Sequence, residues 1–179
     1  VGAPYHRVSV AGDFLGKVSV YKWDGSTYLP LGSDLIGSDK YDYFGGQLSL
    51  DNEGNTLAVM GPGHDDTSGS TYLNKGRVRV YNYDTASTSW VQSPTSYDFD
   101  GEADGDQSAS GNKESRGQRV FLSGDGSKIA IGANENDGTA TDSGHVRVYE
   151  LFQPQIIPVA DSQDVSFLLY EQVTSDEIT

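Results

Sequence analysis

Gly76-Arg77-Val78-Arg79-Val80-Tyr81 opens on glycine, alternates basic with apolar residues and closes on tyrosine. That period-2 pattern belongs to a β-strand with one buried face. The same pattern stands at Gly16-Lys17-Val18-Ser19-Val20-Tyr21 and at Gly144-His145-Val146-Arg147-Val148-Tyr149, with spacings of 60 residues (Gly16 to Gly76) and 68 residues (Gly76 to Gly144). Self-similarity at a period of this length marks a repeat architecture, in which one supersecondary unit is stacked on its neighbours.

A second pattern runs between these strands. Phe44-Gly45-Gly46-Gln47-Leu48-Ser49-Leu50 passes through Asp51-Asn52-Glu53-Gly54-Asn55 into Thr56-Leu57-Ala58-Val59-Met60-Gly61-Pro62. Its counterpart is Gly117 to Leu122, then Ser123-Gly124-Asp125-Gly126-Ser127, then Lys128-Ile129-Ala130-Ile131-Gly132-Ala133. Each predicts a hairpin: an alternating strand, a turn whose glycine (54 or 126) supplies positive φ, and a nearly all-apolar strand. Val1-Gly2-Ala3-Pro4 matches the end of that second strand, so the sequence enters partway through a repeat.

The unit therefore reads as strand, tight turn, buried strand, long polar loop, Gly-x-Val-x-Val-Tyr strand and a fourth aromatic strand. Candidates for the fourth are Thr27–Leu31 and Ser89–Gln92. The expected class is all-β, and four antiparallel strands per repeat fit a blade of a β-propeller. Composition agrees. The 179 residues include 22 glycines and 11 tyrosines, with only 35% hydrophobic residues, as expected of short strands between many turns. A formal net charge of −14 disfavours nucleic acid and anionic lipid as partners. No apolar run approaches the roughly 18 residues of a membrane span, so direct membrane insertion of this segment is not expected. There are no cysteines, which leaves the redox compartment unread, and no N-glycosylation sequon.

At these residues the sequence resembles the FG-GAP repeat family, the blades of the integrin α-subunit propeller and its acidic microbial and algal relatives. Phe44-Gly45 stands for the "FG", and Gly2-Ala3-Pro4, Met60-Gly61-Pro62 and Gly132-Ala133-Asn134 stand for the "GAP". The likeness covers roughly residues 1–152 and implies a secreted or cell-surface propeller that binds protein or glycan. Two positions depart from the family pattern. The second "FG" is Arg116-Gly117, and neither hairpin turn carries the family's calcium ligands: Ser49, Asp51, Glu53 and Leu57 fall at the ligand positions of one, Phe121, Ser123, Asp125 and Ile129 at those of the other. Calcium needs six to eight oxygens, so these sites are not carried over. On this resemblance the chain divides into a partial first blade (1–36), a second blade (37–96), a third with an acidic connector (97–160) and an extra strand with a polar tail (161–179). Two to three blades are too few to close a ring, so further blades from the same or a neighbouring chain are expected partners.

Candidate chemistry is sparse. Asp98, Asp100, Glu102, Asp104 and Asp106 alternate along one stretch with two glycines, which reads either as a loop for a hard cation such as Ca2+ or as a solvated connector. No other cofactor is expected. Ser38-Asp39-Lys40-Tyr41-Asp42 fills the same slot one repeat earlier, and its Lys40 argues against a metal. His64, Asp65 and Asp66 follow the buried strand, and Asn136 and Asp137 follow its counterpart. These are binding-loop candidates, or else carboxylates that hold their own turns. Trp23, just past a strand end, is the surface candidate among the aromatics, whereas Tyr21, Tyr81 and Tyr149 recur in phase as packing residues. No nucleophile elbow, phosphate loop or zinc spacing occurs, so no enzyme is expected.

Beyond Tyr149, two prolines break the pattern, Asp164–Tyr170 reads as another strand, and the polar end Ser175–Thr179 is expected to fray. The function expected is a non-catalytic extracellular or cell-surface binding or structural module, a part of an adhesion, matrix or filament system. The alternative is an accessory or partial propeller domain of a secreted polysaccharide-active enzyme.

Overall fold

The computed structural model describes residues 1–8, 13–64, 75–93, 98–101, 119–133, 136, 140, 143–151 and 176–177. Among them the chain is all-β, without helix, in several antiparallel sheets. In chain order the first strands are β1 (Gly2–Ala3), β2 (Lys17–Val18), β3 (Tyr21–Trp23), β4 (Tyr28–Pro30) and β5 (Leu35–Ile36). They form a three-stranded sheet β1-β2-β5 and the hairpin β3-β4. The middle sheet holds β6 (Gln47–Leu50), β7 (Thr56–Gly61), β8 (Arg77–Asp84), β9 (Ser89–Gln92) and β10 (Phe99–Asp100), with β9 and β10 both paired to β8. The third runs β11 (Arg119–Leu122), β12 (Lys128–Ala133), β13 (His145–Glu150) and β14 (Asp176–Glu177).

The three Gly-x-Val-x-Val-Tyr segments occupy equivalent places. Lys17 pairs Ala3, Arg77 pairs Gly61 and His145 pairs Ala133. The preceding glycines 16, 76 and 144 sit at φ of 81°, 75° and 69°. Their amides donate to the carbonyls of His6, His64 and Asn136 at 3.1, 3.0 and 3.0 Å. One clasp thus closes the start of each strand.

Every residue of β7 is buried because its sheet is covered on both sides. Leu57 and Val59 point with Tyr81 and Trp90 toward Val18 and Phe44, while Ala58 and Met60 point with Val78 and Val80 toward Val120, Ile129 and Ile131. A strand with no solvent face loses its alternation, which is why Thr56–Met60 reads as an unbroken apolar run. Hydrogen bonds stitch the layers together. The Leu122 amide donates to Ser49 Oγ at 2.9 Å, and Trp90 Nε1 donates to the Leu31 carbonyl at 2.9 Å.

Two expectations change. The fourth strand is not one piece: Tyr28–Pro30 and Ser89–Gln92 pair only the far half of their neighbours, and β5 and β10 pair the near half, Leu35 with Val18 and Phe99 with Val78. Gly32, at φ 75°, ends the first of these runs, since an extended strand cannot continue through a left-handed residue. The polar end also does not simply fray, because Asp176–Glu177 pairs with Arg147 and Val148. Strand pairing uses backbone groups, so a free sheet edge accepts a polar segment as readily as an apolar one. The strand expected at Asp164–Tyr170 lies outside the described residues.

Candidate functional site

Three loops meet at the end of the sheets where the glycine clasps sit: residues 4–7 after β1, residues 13–16 before β2, and residues 37–46 between β5 and β6. The amides of Tyr41, Tyr43 and Phe44 donate to the carbonyls of Asp13, Phe14 and Leu15 at 2.7, 3.2 and 3.1 Å. These bonds hold the third loop against the second. The exit of β7 joins them through the Gly63 amide, which donates to the Asp42 carbonyl at 3.1 Å. A Cβ on Gly63 would lie 2.0 Å from the Tyr41 carbonyl oxygen and 2.8 Å from the Tyr43 ring, so only glycine allows this approach.

The consequence is a cluster of four rings. Phe14 stacks on Tyr43 at 5.8 Å between centroids, Tyr5 meets both edge-on at 6.0 and 5.7 Å, and Tyr41 lies 5.9 Å from Phe14. The Arg7 guanidinium caps Phe14, 4.3 Å from the ring centre. Tyr5 is 53% exposed, so the cluster reaches the surface. Phe14, Tyr41 and Tyr43 have φ of 36°, 66° and 52°, a region that side-chain-bearing residues avoid at a cost of about 1–3 kcal/mol each. Burial, with Tyr5 and Tyr41 beside it, raises the Tyr43 hydroxyl above its ordinary pKa, so it stays a neutral donor.

Between Tyr41 and Tyr43, Asp42 turns inward. It is 2% exposed and His64 is 4% exposed. His64 Nδ1 lies 2.8 Å from Asp42 Oδ1 and 3.8 Å from Asp39 Oδ2. The other Asp42 oxygen accepts from the amides of Ser38 and Asp39, both at 3.0 Å, and from Ser38 Oγ at 3.3 Å. Arg79 reaches the same loop, its Nη2 donating to Ser38 Oγ at 2.8 Å. His64, Asp42, Phe44, Gly61, Arg77 and Arg79 line a small cavity of about 10 Å3. Two buried nitrogens on residues lining it, His64 Nε2 and Arg79 Nε, have no hydrogen-bond partner among the described residues.

Of the residues singled out in the sequence, His64 is thus joined to Asp42 and Asp39. Asp98 and Asp100 face arginines. Arg77 donates to both Asp100 oxygens, Arg77 and Arg79 lie 3.8 and 3.9 Å from Asp98 Oδ2, and Gln92 Nε2 donates to Asp98 Oδ1 at 2.9 Å. The Asp100 carboxylate, with its direct hydrogen bond, raises the Arg77 pKa further. Glu102, Asp104, Asp106, Asp65, Asp66 and Asp137 lie outside the described residues. Asn136 is buried, and its carbonyl takes the Gly144 clasp and a hydrogen bond from Ser143 Oγ at 3.1 Å. Trp23 is exposed on β3, ring to ring with Tyr28 at 5.0 Å, on the far part of the strand path from the loop cluster. Tyr81 is buried and Tyr149 packs on Phe99 at 4.5 Å, whereas Tyr21 is exposed.

Sequence reasoning passed over Tyr5, Phe14, Tyr41 and Tyr43. The one local signal was three aromatics within Tyr41-Asp42-Tyr43-Phe44, and nothing in a linear reading brings Tyr5 and Phe14 to them. No protein-family model matches the chain, and no curated protein matches it.

Proposed function

We propose that this chain is a set of FG-GAP-type β-propeller blades that serves, outside the cell or at its surface, as a non-catalytic module binding a glycan at the loop cluster of Tyr5, Arg7, Phe14, Tyr41 and Tyr43. The observation that carries the reading is the backbone of that cluster. Three of the four non-glycine residues with positive φ among the described residues are its aromatic members, and strain of this kind persists where the surroundings hold a site in shape. An exposed ring edge flanked by tyrosine hydroxyls and a guanidinium offers a sugar both an apolar face and donors.

Support for the blade reading comes from the stacking. The middle sheet, covered on both faces, is too thin to bury its own apolar residues, as each blade of a propeller is. Phe44, at the "FG" position, is buried between the first and middle sheets, and Gly45 lets the backbone pass close to Gly2. On the outer side of the third sheet Phe121 and Val146 remain exposed, the place where a further blade from the same or a neighbouring chain would sit.

An oligosaccharide array followed by NMR titration of the tyrosine ring signals tests the binding site. Saccharide binding that is lost in Tyr5→Ala, with an unchanged thermal midpoint, is the expected result. Binding that survives Tyr5→Ala and Arg7→Ala together places the ligand elsewhere, and polysaccharide turnover by the full-length protein overturns the non-catalytic part.

A further inference from the structure

We infer that Asp39, Asp42 and His64 form a site for a divalent ion of the zinc class. The proposal rests on loop geometry and holds whatever ligand Tyr5 and Arg7 take.

One ligand atom from each of Asp39, Asp42 and His64 lies within 4.8 Å of the other two. In a tetrahedral site with bonds of about 2.1 Å, ligand atoms sit about 3.4 Å apart. The 2.8 and 3.8 Å separations from Nδ1 straddle that value, so small shifts of the Asp39 and Asp42 carboxylates would close a coordination shell. One imidazole nitrogen with two carboxylates is a borderline ligand set that suits zinc better than the all-oxygen shell calcium prefers.

Charge makes the same point. A single Nδ1 proton serves one carboxylate at a time, yet two converge on it. Among the described residues no lysine or arginine forms an ion pair with Asp39 or Asp42; Arg79 hydrogen-bonds Ser38 beside them, and Arg77 acts on Asp42 from beyond ion-pair distance. A divalent ion would satisfy both anions at once. The outer shell is already built: the amides of Ser38 and Asp39 fix the free oxygen of Asp42, and the Ser38 hydroxyl lies between the carboxylates, 3.0 Å from Asp39 Oδ2 and 3.3 Å from Asp42 Oδ2, the arrangement that orients metal-bound carboxylates.

An observation independent of the carboxylates concerns the other face of the ring. Among the described residues buried His64 Nε2 has no hydrogen-bond partner, and the residue borders the cavity of about 10 Å3 it shares with Arg79. That leaves Nε2 able to carry the ring N–H when an ion takes Nδ1, with a cavity of about one water's size beside it for a hydrogen-bond acceptor. Asp39, 60% exposed at its side chain, leaves the solvent side of the site open for a fourth ligand.

The test is titration of Zn2+ alone into the chelator-stripped chain by calorimetry, with thermal melts alongside. One Zn2+ per chain and a rise in the melting midpoint are expected. Asp39→Asn, whose side chain is exposed, should melt as the parent does without metal and bind zinc at least about tenfold more weakly. His64→Gln should lose the zinc response while its side-chain amide can still donate a hydrogen bond to Asp42. No zinc uptake overturns the proposal, and so does uptake that Asp39→Asn leaves unchanged, since the ion would then sit elsewhere on this acidic surface. Equal competition by Ca2+ overturns the assignment to the zinc class. A failure of saccharide binding with zinc uptake intact counts only against the glycan site.

Discussion

Val78 and Val146 hold the same position in two copies of one strand motif, yet Val78 has no exposed surface and Val146 is 54% exposed. The difference is in what faces them. Val78, with Val80, lies against Val120, Ile129 and Ile131 of the third sheet, whereas among the described residues no sheet covers the matching face of the third. Replacing Val78 and Val80 together by Asp puts two unpaired charges between sheets, at a cost of several kcal/mol each against a domain stability of about 5–15 kcal/mol. The double variant is expected to be unfolded by circular dichroism. Val146→Asp should fold, with a midpoint within a few degrees of the parent, and should abolish any association of chains that uses this face. A soluble, folded Val78→Asp/Val80→Asp protein would refute the packing described.

The contrast also shows what the sequence made legible. Strand identity is local: alternation in Arg77–Tyr81 and the glycine turn at 54 are visible without coordinates, and the sheets follow from them. Burial is relational. Val78 and Val146 differ only through their neighbours, and no pattern within six residues distinguishes them. The same limit applies at the loop cluster. Asp42 and His64 are 22 residues apart, and Lys40 between Asp39 and Asp42 suggested that the segment could not hold a cation. Three-dimensional placement sets Lys40 on the exposed surface while Asp39 and Asp42 converge on one imidazole nitrogen, a juxtaposition that the linear order of the segment does not show. The two-piece outer strand was obscured for a different reason. β5 and β10 are two residues long, too short for any periodicity to register.

Asp125 gives a prediction in pH. Its carboxylate accepts from Ser123 Oγ at 2.6 Å, and from the amide and hydroxyl of Ser127 at 3.0 and 2.8 Å, closing the turn between β11 and β12. The hydrogen bond from Ser123, then those from Ser127, lower its pKa from 3.8 to about 2. A depressed folded-state pKa stabilises the folded form above the unfolded value, and that contribution disappears as pH falls from about 4 through about 2. NMR titration of the Asp125 carboxyl should show a midpoint near the lower value. In Ser123→Ala the midpoint should move back up, since the largest cause is gone. A midpoint at the ordinary value in the parent chain would mean that the turn does not hold this carboxylate in solution.

Gly54 and Gly63 separate two reasons for glycine. Gly54 has φ of 71° and nothing within 4 Å of a Cβ built there, so Gly54→Ala carries only the left-handed backbone penalty of about 1–2 kcal/mol. Gly63 shows no such φ, but its Cβ would strike the Tyr41 carbonyl at 2.0 Å and the Tyr43 ring. Backbone cannot yield as a flexible side chain does, so Gly63→Ala must lift the 37–46 loop away from β7 or distort both. Overpacking of this kind costs about 1–3 kcal/mol. The two variants should then look similar by urea denaturation but differ at the loop cluster. In Gly63→Ala the ring signals of Tyr5, Tyr41 and Tyr43 should shift, and the Asp42–His64 contact should loosen, because Asp42 lies between the two displaced tyrosines. In Gly54→Ala those signals should stay where they are. Unchanged tyrosine signals in a folded Gly63→Ala chain would show that the close approach of Gly63 to Tyr41 does not shape the cluster.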